Sequence, residues 1–575
     1  MEISKIAFEN YRNLDKLEVL FSSTSYIIGE NGIGKSNLLH ALNRIFSHNK
    51  FLEGDFFDTA TKIRILIQLR LAEEELGIFD DYVDPHNCNF INLIIEQEYD
   101  DVTFRVFHQE THEEIPVKFF RNVQYIYYDS IRNPKAELSF EKEKGSGSLL
   151  NYIVKHYLKE TGEDDSNYID GEKLNTALNF INDRLQKLDS VSRNNIKVSF
   201  DSNNVNFLNT IFKLYDNKNI ELKNSGYGLQ FSLAVILSLF EKLISVSTLA
   251  KKRGEEFKQY SCILAFDEPE IHLHPFAQRA LMKELNKMAN GSDEGFNDII
   301  KELFGIEKFS AQLLIVSHSD KIIMGNYDNI VRVYSTSEGV RAVSGQTIKN
   351  EDASEINKHE NHLQKFFPHF CEGLFARKVI FVEGDTEVGA FREFSKKLGI
   401  DFDAIGVSII NANGEGTVIP LINLFSLFKI ETIGVKDRDV YARAKAIGKG
   451  TRAEDTLIEE NKLVLTHELN FEFEIVKAFP DLDKLYQILS ELGTNFVAPI
   501  QKTKIEKFNK DFPEVGYTGS DTLAWDENLS PLEKEVFLVN CLGQIKSVVN
   551  GALIAENVPE ENIPSVYGDL IRALR

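Results

Sequence analysis

The sequence predicts an α/β protein in two parts. The first is an α/β unit with a β-rich section and an inserted helical subdomain; the second is a parallel α/β domain. Three observations predict this. A glycine-rich segment, Gly29-Glu30-Asn31-Gly32-Ile33-Gly34-Lys35-Ser36, stands between a strand-like run and a helix-like one. Apolar runs of strand length end in acids at Asp267-Glu268, Glu383 and Asp437. From Lys378 onward, strand and helix periodicities alternate, as parallel βα units require.

The elements follow in chain order. Ile3 to Phe8, Leu17 to Phe21 and Tyr26 to Ile28 read as short strands. Leu38, Leu39, Leu42, Ile45 and Phe46 then line one face of a helix. β-Branched and aromatic runs at Ile63–Leu71, Phe90–Ile95, Val102–Phe107 and Val123–Tyr128 predict a mainly β section. Leu149 to Leu158 and Leu174 to Leu188 are amphipathic and flank a polar stretch, which predicts an inserted helical subdomain. A strongly apolar helix is expected over Leu229 to Leu243, with buried-type strands at Tyr260–Phe266 and Gln312–Val316. The polar segment 345–365 is the expected boundary. The expected domains are 1–134 and 221–365 for the first unit, 135–220 for its insertion, and 366–575 for the second domain with a helical extension.

The chain has 575 residues, room for about four domains or two large ones. Lys plus Arg is 65 against 88 Asp plus Glu, a net charge of −23 that argues against nonspecific coating of nucleic acid. Local basic runs and metal-assisted work on phosphates remain compatible with it. The apolar stretch Phe231–Phe240 falls far short of the roughly 20 residues that span a bilayer. Cys88, Cys262, Cys371 and Cys541 lie far apart without ligand spacing, and Met1 to Lys5 lack signal-peptide anatomy. A reducing, cytoplasmic setting without a membrane partner is expected.

The glycine-rich segment fits a phosphate-binding loop. Gly29, Asn31, Gly32 and Gly34 let backbone N–H groups turn onto phosphates, Lys35 reaches the β/γ oxygens, and Ser36 ligates Mg²⁺. Asp267 would hold the same Mg²⁺ through water, and Glu268 would polarise the attacking water. His318 ends another apolar strand and would reach the γ-phosphate. Asn224-Ser225-Gly226 precedes a long apolar helix, so Ser225 and Gly226 could meet a phosphate at its N-terminus. These segments, with Pro269-Glu270-Ile271-His272-Leu273-His274-Pro275 and Ser317-His318, resemble the ABC-type ATPases of the RecF and SMC group. That resemblance implies ATP sandwiched between two subunits, hence a homodimer or larger homo-oligomer. The signature segment departs from LSGGQ, with Tyr227 in place of a glycine and Gln230 displaced. Gln68 is the candidate for the Q-loop glutamine.

In the second domain, the strand Val379–Val382 ends at Glu383-Gly384-Asp385-Thr386-Glu387. Thr386 or Asp385 can cap the following helix, and Glu387 falls in its first turn. A later strand ends at Asp437-Arg438-Asp439, whose spacing puts both aspartates on one side if the chain stays extended. Converging carboxylates call for cations between them, and oxygen-only ligands favour Mg²⁺ or Mn²⁺. The glutamate–glycine turn and the Asp-x-Asp resemble the Toprim fold. An ABC-type head followed by Toprim resembles the OLD (overcoming lysogenisation defect) nucleases and the nuclease-like subunit of Gabija phage defence.

That resemblance implies Glu383 as metal-bound acid or general base, with Glu387, Asp437, Asp439 and Glu472 as further ligands. Asn470 stands where an aspartate is usual, and Glu474 is a possible compensation. Lys546 best matches the lysine that steadies the phosphate transition state. Lys436, Arg438, Arg443, Lys445, Lys449 and Arg452 form one basic run, and Lys502, Lys504, Lys507 and Lys510 another, either able to meet DNA phosphates. The implied activity is an ATP-regulated, metal-dependent DNA endonuclease or nickase in anti-phage defence, with a separately encoded helicase-like protein as a further partner. The alternative is an ATP-driven DNA-binding clamp with a non-catalytic Toprim scaffold.

Overall fold

The computed structural model describes residues 1–71, 83–84, 87, 89–116, 123–130, 149, 152–153, 156–157, 159–160, 171–200, 212–216, 221, 224, 226–253, 258–271, 273–323, 327–350, 370–446 and 451–575. The chain divides into Met1–Glu351 and Asp352–Arg575, a division inside the polar segment 345–365.

The first unit opens with β1 (Glu2–Glu9), β2 (Glu18–Leu20), β3 (Thr24–Gly29), α1 (Lys35–Phe46), β4 (Ile63–Arg70), β5 (Phe90–Gln97), β6 (Arg105–His108) and β7 (Gln124–Tyr128). It continues with α2 (Gly171–Leu185), β8 (Lys197–Phe200), β9 (Phe212–Tyr215), α3 (Tyr227–Arg253), β10 (Gln259–Asp267), α4 (Pro275–Ala289), α5 (Glu294–Phe304), β11 (Lys308–Val316), β12 (Ile330–Thr336) and β13 (Gly339–Ser344).

Two sheets carry this unit. An antiparallel one has the order β2-β1-β4-β5-β6, and β4 alternates as a half-buried strand should, with Ile63, Ile65, Ile67 and Leu69 inward. The other has the order β13-β12-β3-β11-β10-β7, parallel except for its β13 edge. β10 and β11 are buried almost continuously toward their C-terminal ends, as central parallel strands are. Ile6 and Phe8 of β1, Leu38 and Leu42 of α1, and Ile263, Leu314 and Val316 of the parallel sheet share one core.

Three expectations need correction. Val123–Tyr128 belongs to the parallel sheet beside β10, not to the β-rich section, because so short a run does not reveal which sheet will take it. The strand expected over Val102–Phe107 forms over Arg105–His108. The insertion expected to be helical also carries an antiparallel ribbon, β8–β9, whose four-residue strands are too short for a clear period. Half of Leu149–Leu158, with Ser225, Lys449 and Cys88, lies outside the described residues.

The second unit runs β14 (Lys378–Val382), α6 (Asp385–Lys397), β15 (Val407–Asn411), α7 (Glu415–Leu427), β16 (Glu431–Lys436), α8 (Arg438–Ala446), α9 (Arg452–Glu459) and β17 (Leu463–Leu465). Then follow α10 (Phe471–Ala478), α11 (Leu482–Leu492), α12 (Lys502–Asp511), α13 (Pro531–Leu542), α14 (Val548–Glu556) and α15 (Ser565–Ala573). Its sheet is parallel throughout, in the order β15-β14-β16-β17. β14 and β16 are therefore adjacent, which brings the acids after both strands to one edge. α6 and α14 cross at glycines: a Cβ on Gly389 would stand 2.0 Å from the Val548 carbonyl oxygen, and one on Gly551 2.1 Å from that of Thr386.

Candidate functional site

The nucleotide site is built at the C-terminal ends of β3, β10 and β11. Gly29 ends β3 at φ +150°, where a Cβ would meet the Val333 carbonyl oxygen at 2.2 Å. Gly34 caps α1 at φ +106°, a left-handed conformation that glycine adopts without strain. Lys35 Nζ donates to the carbonyls of Gly29 (3.0 Å) and Glu30 (2.9 Å). Burial lowers the Lys35 ammonium pKa to about 8, with Glu268, Asp267 and Glu270 pulling the other way. Ser36 Oγ donates to Asp267 Oδ1 at 3.0 Å, so the two expected Mg²⁺ ligands share one spot. Burial lifts the Asp267 carboxyl to about 6.

Glu268 sits at φ +50°, a left-handed backbone costly for a non-glycine residue, and its N–H donates to Val316 O at 2.9 Å. Its Oε1 lies 3.3 Å from His318 Nε2. Burial and the Lys35 charge keep the imidazole below its usual pKa. Asn31, Gly32, Gly34, Lys35, Ser36, Asn37, Glu268 and His318 line one cavity of about 600 Å³. The geometry thus joins every expected nucleotide residue except Ser225 and Gly226. Gly226 is exposed at the start of α3.

Gln68 is not near this cavity's lining. It accepts from Ser4 Oγ (2.8 Å) and donates to Asn92 Oδ1 (2.9 Å), cross-linking β4 within the antiparallel sheet. Glu270 was not singled out as a functional side chain, yet its Oε1 accepts from Ser317 Oγ and from the His318 N–H, both at 2.7 Å, and so orients the His318 turn. Its place in the Pro269–Pro275 segment was the available signal. Arg332, from β12, is buried with its charge facing Glu30; nothing in its sequence surroundings marks it.

In the second unit, Glu383 Oε1 accepts the Asp437 N–H at 3.2 Å, which ties the end of β14 to the end of β16. Neither Thr386 nor Asp385 caps α6. The cap is Gly384, whose N–H donates to Glu387 Oε2 at 2.7 Å, while Thr386 Oγ1 donates to the Ile545 carbonyl at 2.8 Å. Asp437 and Asp439 are not on one extended strand, because α8 begins at Arg438. Asp437 Oδ1 accepts the Phe471 N–H at 3.0 Å, and Asp439 Oδ2 pairs with Arg443 at 2.5 Å.

The acids nevertheless face one another. Burial and then the Glu383 charge push the Glu387 carboxyl well up; burial, Glu387, Glu383, Glu472 and Asp439 do the same to Asp437. Glu472 is raised by burial and by Asp439, and lowered by the exposed Lys546. Among the described residues no three His, Cys, Asp or Glu side chains stand in metal-holding geometry. Each of Glu387, Asp437 and Asp439 instead leans on a nearby N–H or guanidinium. The donor chemistry, carboxylate oxygens alone, fits a hard divalent cation, which would relieve their mutual repulsion.

Asn470 is the N-cap of α10, accepting from the Phe473 N–H at 3.1 Å. Glu474 Oε1 accepts the N–H groups of His467 (2.5 Å) and Glu468 (2.8 Å). The basic run after β16 is largely occupied, with Lys436 buried against Glu454, Arg443 on Asp439, and Arg438 on the His467 carbonyl.

The AAA ATPase domain model matches residues 1–323 and the overcoming lysogenization defect protein-like TOPRIM domain matches 374–439. The chain belongs to the AAA ATPase family, and an OLD-like TOPRIM domain follows its ATPase domain. The Old nuclease of Escherichia phage P2 is 21% identical over 480 residues, 76% of either chain. The OLD nuclease of Thermus scotoductus is 20% identical over 495 residues, 80% of this chain and 86% of that one. Endonuclease GajA of Bacillus cereus VD045 is 22% identical over 466 residues, 72% of this chain and 71% of its own. This protein is thus an enzyme with an AAA ATPase domain and a TOPRIM domain. The TOPRIM match includes Glu383, Glu387, Asp437 and Asp439; Glu472 and Lys546 come from beyond it.

Proposed function

We propose that this protein is an ATP-regulated, divalent-metal-dependent DNA endonuclease or nickase with a role in anti-phage defence. The observation that carries the reading is the convergence of Glu383, Glu387, Asp437 and Glu472 at the edge of the parallel sheet, facing Lys546. The nuclease names of its relatives support it. Mg²⁺ or Mn²⁺ held there would supply Lewis-acid polarisation of a phosphate and an ionised water. Glu383, Glu387, Asp437, Asp439 and Glu472 would be its ligands, Glu383 doubling as general base. Lys546 would offset charge developing on the phosphate.

The lysine face of α12 would track the DNA backbone. Lys502, Lys504, Lys507 and Lys510 are exposed, and Lys504 Nζ reaches Gln544 Oε1 at 3.4 Å, just before Lys546. This run is favoured over the occupied one after β16. In the head, Gly29, Asn31, Gly32, Gly34, Lys35 and Ser36 would hold ATP, Asp267 its Mg²⁺, Glu268 the attacking water and His318 the γ-phosphate. Ser225 and Gly226 would close the site of a second copy, making the working form a homodimer or larger homo-oligomer. The setting is cytoplasmic, with a helicase-like partner encoded elsewhere; no helix of the described residues is long and apolar enough to cross a membrane.

The test is cleavage of supercoiled and linear DNA with Mg²⁺ or Mn²⁺, with and without ATP. Cutting that is lost in Glu383→Ala, and changed in size by ATP in the parent but not in Lys35→Ala, is the expected result. ATP hydrolysis without cutting under any condition favours the clamp reading.

A further inference from the structure

Tyr567 lies in α15, outside the residues matched by the TOPRIM domain. Its side chain is fully buried, edge-on to Phe391 (5.1 Å), stacked on Phe394 (6.1 Å) and tilted against Phe471 (6.0 Å). Phe391 lies one turn beyond Glu387 on the same face of α6. Phe471 precedes Glu472, and its N–H holds Asp437. The ring therefore stands between the two helices that carry or hold these acids.

Its hydroxyl has no hydrogen-bond partner among the described residues. A buried hydroxyl without a partner is unfavourable, and phenylalanine would fill the same aromatic cradle without that cost. Burial, followed by the charges of Glu387, Asp437, Glu474 and Glu472, holds the hydroxyl in its protonated, donating form. The nearby acceptors are carboxylates now engaged elsewhere: Glu387 with the Gly384 N–H and Asp437 with the Phe471 N–H. A dry hydroxyl without a partner, close to acids whose oxygens are engaged with backbone N–H groups, has the character of a donor awaiting the ligand-bound arrangement.

We propose that Tyr567 is a positioning residue of the metal site, its hydroxyl donating to the Glu387 carboxylate when the acids close round a divalent cation. The last helix of the chain thereby completes a site whose acids come from the sheet. The inference rests on the metal-site reading given above. Outer partners of ligating carboxylates orient them, and their loss weakens metal binding by roughly 10- to 100-fold.

The test uses full-length, nucleotide-free protein titrated with Mn²⁺, by calorimetry and by thermal unfolding, for the parent, Tyr567→Phe, Glu383→Ala and the double variant. The Mn²⁺ response removed by Glu383→Ala isolates this site from the nucleotide site. Tyr567→Phe is expected to unfold at or above the parent temperature without metal, and to bind Mn²⁺ at the Glu383-dependent site at least tenfold more weakly. Parent-like Mn²⁺ affinity in Tyr567→Phe overturns the proposal and leaves the metal site standing. Lower metal-free stability with unchanged affinity assigns the hydroxyl to packing and overturns it as well. A parent without any Glu383-dependent Mn²⁺ binding removes the metal-site reading itself, and this proposal with it.

Discussion

Lys35→Met isolates what the phosphate loop does before any nucleotide arrives. Lys35 is only 4% exposed, and burial brings its pKa down from 10.5 to about 8. At about 1.4 kcal/mol for each tenfold, that fall corresponds to roughly 3 kcal/mol of penalty on the ammonium at neutral pH. Methionine keeps most of the aliphatic stem and removes the charge. It also forfeits the hydrogen bonds to the Gly29 and Glu30 carbonyls, which water in the open cavity can take over. The nucleotide-free variant is therefore expected to be as stable as the parent, or more stable by up to about 3 kcal/mol.

The pH dependence has a definite sign. Between the folded value near 8 and the unfolded value near 10.5, the unfolded chain binds more protons, so the parent's stability from this group rises with pH. The advantage of Lys35→Met should be full below pH 8 and shrink toward pH 10. Thermal unfolding of both proteins without nucleotide at pH 7 and at pH 9.5 measures it, and added MgATP should stabilise only the parent. A nucleotide-free variant less stable than the parent by more than about 1 kcal/mol at pH 7 would refute the reasoning, since the ammonium would then be a net source of stability.

Glu268→Gln keeps the shape of the cavity wall but loses the carboxylate beside His318; on the proposed role of Glu268, ATP hydrolysis should fall by about 10²-fold or more while equilibrium ATP binding is retained; equal losses of both would show a binding role only. Gly551→Ala drives a methyl into the Thr386 carbonyl at the α6–α14 crossing and should cost about 1–3 kcal/mol or more in denaturant unfolding, with metal-dependent cleavage suffering because the same crossing positions Glu387 and Lys546. Asn470→Ala removes the α10 cap and should cost about 1 kcal/mol, whereas Asn470→Asp, an equally good cap, should leave stability nearly unchanged; an Asn470→Ala protein of parental stability would show that the cap is idle.

Local chemistry was legible before any coordinates. Gly29 to Ser36 declare a phosphate loop because the glycines, lysine and serine must be contiguous for backbone amides to cradle an anion. Asp267-Glu268, Glu383 and Asp437 stand out as acids at the ends of apolar, strand-length runs. The long alternating β4 and the amphipathic α1 were readable for the same reason, since each carries enough periods for its pattern to be unambiguous. Short segments were not: β7 could have joined either sheet, and β8 and β9 carry too few residues to show a period.

What side chains do once the chain has folded was decided by contacts remote in sequence. Asp437 and Asp439 share no extended strand because α8 starts between them, and Asn470 caps α10, which starts after it. Lys436 looks like a DNA contact in a basic run, yet it is buried against Glu454. Tyr567 carries no motif at all, and only the packing of α15 against α6 and α10 brings it to the acids. The sequence by itself determined the chemistry at strand ends, because those groups are contiguous and their backbone geometry is local. Tertiary structure alone decided which acids meet, which cations are already spent and which buried hydroxyl waits beside them, because electrostatics and burial depend on distance in space and not along the chain.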